Sequence, residues 1–87
     1  MTKNAATQRE RIRQYLYRST QGTRNEVGKS CDILTQTMCA RLDELEELGH
    51  VVRFGRRICS ETGAMNIEYR LSGNQRAAMT RKAGRAA

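Results

Sequence analysis

Apolar residues recur with a helical period over the first half of the chain and with an alternating period after Gly49. Ile12, Tyr15 and Leu16 repeat at spacings of three and four, which puts them on the inward side of a first helix. Its start is expected at Thr7, because Thr7 with Glu10 has the form of a capping box that satisfies free backbone N–H groups. Arg9, Arg11, Arg13 and Arg18 are left for solvent or phosphates, and Gln21 and Gly22 read as a loop.

A second capping box, Thr23 with Glu26, opens a second helix in which Val27 points inward and Gly28 permits close packing. Cys31, Asp32 and Ile33 make the turn, with Ile33 as its apolar plug. The third helix is expected from Thr35 to Leu48, with Thr35 as N-cap, a buried stripe of Met38, Leu42 and Leu45, and Gly49 as its stop. On this wheel Gln36, Thr37, Ala40 and Arg41 face outward. Val51, Val52, Phe54 and Ile58 then begin a strand, Ser60, Glu61, Thr62 and Gly63 supply a turn, and Ile67, Tyr69 and Leu71 alternate strictly. Arg53, Arg56 and Arg57 decorate the first half of this hairpin, where the glycine of FGRR permits a bulge that aims the last two outward.

At 87 residues the chain fits one domain with a modest core. Its formal charge of +7 favours a polyanionic partner. The distribution sharpens this: residues 23–49 are net acidic, with Asp43, Glu44, Glu46 and Glu47 crowding the end of the third helix, whereas residues 1–22, 50–71 and 72–87 are net basic. DNA would have to avoid the acidic end. Residues 72–87 contain no acid and few apolar side chains, and read as a basic tail, a frayed helix or disordered, that attracts phosphates without reading sequence.

Other chemistries find little footing. The three cysteines, Cys31, Cys39 and Cys59, lack CxxC spacing, so reduced thiols are expected rather than a disulfide framework or a metal site built with His50. Cys39, beside the outward positions of the third helix, allows redox sensitivity. No phosphate-binding Gly-rich loop, zinc-protease motif or nucleophile elbow occurs, and one histidine limits acid–base chemistry, so neither an enzyme nor a cofactor is expected. Without an apolar run long enough to span a bilayer or a signal-peptide core at the start, a cytoplasmic protein with no membrane partner is expected.

The capped helix pair, the spacing R-L-x-x-L-x-x-L-G-x-V from Arg41 to Val51 and the basic hairpin that follows resemble the small winged helix-turn-helix regulators of bacteria and their phages. A small residue after the buried apolar one, as in Val27–Gly28, fits that likeness, although such turns commonly hold a glycine that this chain lacks. The resemblance implies an α+β fold of three helices followed by a two-stranded β-hairpin wing, over residues 7–71, between a flexible N-terminus (1–6) and the basic tail (72–87). It also implies a sequence-specific transcriptional regulator of double-stranded DNA, acting as a repressor. Thr35, Gln36, Thr37, Ala40 and Arg41 would meet the major groove, and Arg53, Arg56 and Arg57 the backbone. A homodimer through the first helix or the tail would double the site. Two other readings remain: a phage-encoded module or inhibitor that docks on a host protein acting on nucleic acid, favoured by the acidic third helix, and an accessory factor that bends DNA.

Overall fold

The computed structural model describes residues 4–59 and 62–86, with side chains as far as Lys82. The chain forms α1 (Ala5–Ser19), β1 (Gln21–Thr23), α2 (Arg24–Cys31), α3 (Thr35–Glu47), β2 (Val51–Ile58), β3 (Met65–Leu71) and α4 (Gly73–Ala86). The described residues form a small α+β domain with four helices and an antiparallel sheet ordered β1-β3-β2. It therefore has one helix and one strand beyond the expected three and two. Of the expected flexible N-terminus (1–6), residues 1–3 lie outside the described residues, as do the turn residues Ser60 and Glu61, whereas Ala5 and Ala6 already belong to α1.

Helix ends follow local chemistry, with two corrections. The first helix starts earlier than Thr7: the Asn4 side chain accepts from the Thr7 N–H, so Asn4 is the N-cap. Glu10 is not part of a box there, because its carboxylate takes hydrogen bonds from Arg13 and Gln14. The Thr23–Glu26 box is present in both directions. Asp32 (φ 57°) takes the left-handed position after α2 where a glycine is usual, a conformation that aspartate tolerates better than most residues. The second correction is at α3, where Leu34 is the N-cap without a side-chain cap, and the Thr35 hydroxyl instead donates to Asn25 Oδ1 at 3.0 Å. At the other end Gly49 (φ 76°) donates to Glu46 and His50 to Leu45, a Schellman motif that turns the chain into β2.

The core joins Ile12 and Leu16 of α1, Val27 of α2, Ile33 of the turn, Met38, Leu42 and Leu45 of α3, and Val51, Tyr69 and Leu71 of the sheet. Gly28 lies where α2 and α3 converge. A Cβ added there would stand 2.9 Å from both the Ile33 carbonyl oxygen and Met38 Cγ, so this position needs its missing side chain.

The expected loop at Gln21 and Gly22 is instead strand β1, paired with β3 as Gln21↔Arg70, Gly22↔Tyr69 and Thr23↔Glu68. Between β2 and β3 the register shifts at Arg53/Gly55, the bulge that FGRR suggested. Helix α4 docks on α1. Arg76 donates to the carbonyls of Leu16 (2.8 Å) and Tyr17 (3.1 Å) at the C-terminal end of α1, where a cation is favoured, and Met79 packs against the core. No helix among the described residues is long and apolar enough to cross a membrane.

Candidate nucleic-acid interface

Helix α3 buries Met38, Leu42 and Leu45 and turns Thr35, Gln36, Ala40, Asp43 and Glu47 to the surface, with Thr37 and Cys39 half-buried at its flanks. The first half of its outer face thus carries an amide, hydroxyls and a small side chain, and the second half carries acids. Leu34, immediately before the helix, is 71% exposed and adds an apolar group beside Thr35 and Gln36.

Arg41 does not join this face. It lies three residues after Met38 and four before Leu45, which brings its side chain round toward α1. There it donates to Glu44 Oε2 at 3.0 Å and to Gln8 Oε1 at 3.5 Å, and only 17% of the side chain is exposed. Glu44 also accepts from Arg9 at 2.7 Å, so one carboxylate serves two guanidiniums.

The three hairpin arginines also have different fates. Arg53 is exposed and paired with Glu46 at 3.0 Å, and this hydrogen bond raises its pKa. Arg57 turns inward instead of outward. It donates to Glu26 at the first turn of α2, where Nη1 meets Oε2 at 2.8 Å, and to Glu68 on β3. The hydrogen bonds to Glu26 and then Glu68 raise its pKa, and both carboxylates are nearly buried. Charge-assisted hydrogen bonds of this kind are shorter and stronger than neutral ones. Only Arg56 of the three is exposed and without an ion pair to any other described residue.

Arg24 and Asn66, which the reading of the sequence passed over, complete the surface. Arg24, the first residue of α2, donates to Cys39 Sγ on α3 at 3.3 Å. It also lines a half-open cleft of about 340 Å³ with Arg56, Met65, Asn66, Ile67 and Tyr69. Tyr69, itself buried, is among these lining residues, and burial pushes its phenol pKa up. The spacing of Arg24 from the outer face of α3 gave no hint of this, because a turn and a strand pairing bring them together. Arg24 and Arg56 thus line one cleft, which the hydrogen bond from Arg24 to Cys39 connects to α3, whereas Arg41 and Arg57 do not line it.

The cysteines are free thiols, Cys31 and Cys59 buried and Cys39 half-buried. Desolvation raises the Cys31 pKa. No protein-family profile matches this chain, and no curated protein matches it.

Proposed function

We propose that the domain is a winged helix-turn-helix that binds double-stranded DNA with sequence preference and acts as a transcriptional repressor by occluding its site. In this reading α2, the Asp32–Ile33 turn and α3 are the helix-turn-helix, and β2 with β3 is the wing. The observation that carries it is the conjunction of an acid-free, polar outer face on the first half of α3 with two arginines that no carboxylate among the described residues neutralises, on the cleft that Arg24 connects to α3. A recognition helix meets base edges with its N-terminal residues. Gln36 can take an adenine edge bidentately, Thr35 and Thr37 can contact phosphates, and Leu34 or Ala40 can meet a thymine methyl.

Substitution separates base readout from charge attraction. Gln36→Ala is expected to change the ranking of bound sequences, whereas Arg56→Ala is expected to weaken all of them together. An unchanged ranking in Gln36→Ala would remove α3 from the groove.

A second reading draws on Asp43 and Glu47, exposed on the same helix. They would suit docking on a basic surface of a host protein that handles nucleic acid. Replacing both by lysine separates the readings: tighter duplex binding follows from the first, and loss of a protein complex from the second.

A further inference from the structure

Carboxylates hold many of the arginines: Arg9 and Arg41 share Glu44, Arg13 holds Glu10, Arg53 holds Glu46, and Arg57 holds Glu26 and Glu68. Arg11 and Arg76 donate to backbone carbonyls, and Arg70 covers Phe54 and binds Gln21. Arg24 and Arg56 differ from all of these. They come from separate elements, line the same cleft, and have no ion pair among the described residues, and none of the described residues lining that cleft is acidic. Guanidinium groups stay charged at any ordinary pH, so two of them facing one cavity repel until an anion lies between them.

We propose that this cleft seats one backbone phosphodiester, with Arg24 and Arg56 as its charged walls, the Tyr69 phenol as a neutral donor, and Met65 and Ile67 against the adjoining sugar. The assignment rests on the DNA-binding reading and adds to it the place where the backbone is gripped. The width of the seat is preset. Arg57, next to Arg56 and opposite Asn66 in the ladder, reaches the other way to Glu26, two residues from Arg24. The clamp therefore ties together the same two elements that form the walls, so binding need not order them. Arg57 is a positioning residue here, and the phosphate contact falls to its neighbour.

The test is duplex affinity against salt concentration for the full chain, Arg24→Gln, Arg56→Gln, the double variant, and Arg81→Gln as a charge-matched control on α4. Each single variant in the cleft is expected to weaken binding about tenfold, the scale of one charged hydrogen bond, and to flatten the log–log salt slope by about 0.9, the share of one phosphate. The double variant should lose little beyond either single, since both groups grip one phosphate. Singles that behave like Arg81→Gln, or a double equal to their sum, would overturn the seat.

If the unsubstituted chain binds no duplex at low salt, the DNA reading fails, and inorganic phosphate then tests the seat alone. Shifts of the Arg24 and Arg56 side-chain N–H resonances on phosphate titration would support it. Resonances that stay in place would overturn it.

Discussion

Arg56 and Arg57 are adjacent in sequence and identical in chemistry, yet the two sides of β2 use them in opposite ways. Arg57 is consumed by two nearly buried carboxylates that tie β2 to α2 and β3, whereas Arg56 faces a cleft with no carboxylate among the described residues that line it. The same division runs through the whole domain. On the α1 side, Arg9, Arg13 and Arg41 are matched by Glu44 and Glu10, so that positive charge is spent inside the molecule. In the proposed reading the nucleic-acid surface is marked not by net charge but by arginines left without acids.

The comparison breaks most readily at Arg57. Arg57→Ala leaves Glu26 and Glu68 nearly buried without their shared cation, which is expected to cost about 2–3 kcal/mol in urea unfolding, less than a fully buried pair because Arg57 itself reaches solvent. Adding Glu26→Gln and Glu68→Gln should restore much of that loss, since glutamine can still serve the capping box. No recovery would mean that the carboxylates are not what Arg57 holds.

The next largest effect concerns the angle between α2 and α3, the two helices of the proposed interface. Gly28→Ala forces a methyl group against the Ile33 carbonyl and Met38, and overpacking of this kind costs about 1–3 kcal/mol. Thermal unfolding would measure it. A neutral result would show that α2 and α3 can separate freely.

A smaller effect belongs to the paired side. His50 lies 3.2 Å from Arg13 through Nδ1, and desolvation together with that cation lowers its pKa. A histidine depressed in the folded state binds its proton later than the unfolded chain does. Stability should therefore fall as pH drops below the ordinary value of 6.5, down to the folded pKa. His50→Gln should remove the part of the acid sensitivity seen in that window, and an identical pH profile in the variant would dismiss the account.

The smallest stability effect is expected at Arg56, where Arg56→Ala should change unfolding by less than about 0.5 kcal/mol, as for other exposed positions. A larger loss would mean that Arg56 is structural, and the contrast with Arg57 would collapse.

How far these features could be read from the chain depends on how local their causes are. The Thr23–Glu26 box, the stop at Gly49 and the buried stripe of α3 were legible because each is decided within a turn or two of helix. The inward turn of Arg41 is equally local, because its spacing from Met38 and Leu45 brings it round the helix toward α1, contrary to the expected outward position. Strand β1 was not legible, because three residues around a glycine form a strand only through pairing with β3, nearly fifty residues later. The fate of Arg57 was hidden for the same reason: Glu26 and Glu68 reach it through the fold. Helix α4 has too few apolar residues to announce its docking, which rests on Arg76 reaching the end of α1.

Sequence readout by α3 is tested most directly by selecting bound sequences from a random duplex pool at two salt concentrations on either side of the physiological value. The account predicts a defined motif that survives the higher salt, because contacts from the first half of α3 to base edges do not depend on counterion release. Retention without a motif, lost as salt rises, would contradict it and leave only the attraction of a basic chain for phosphate.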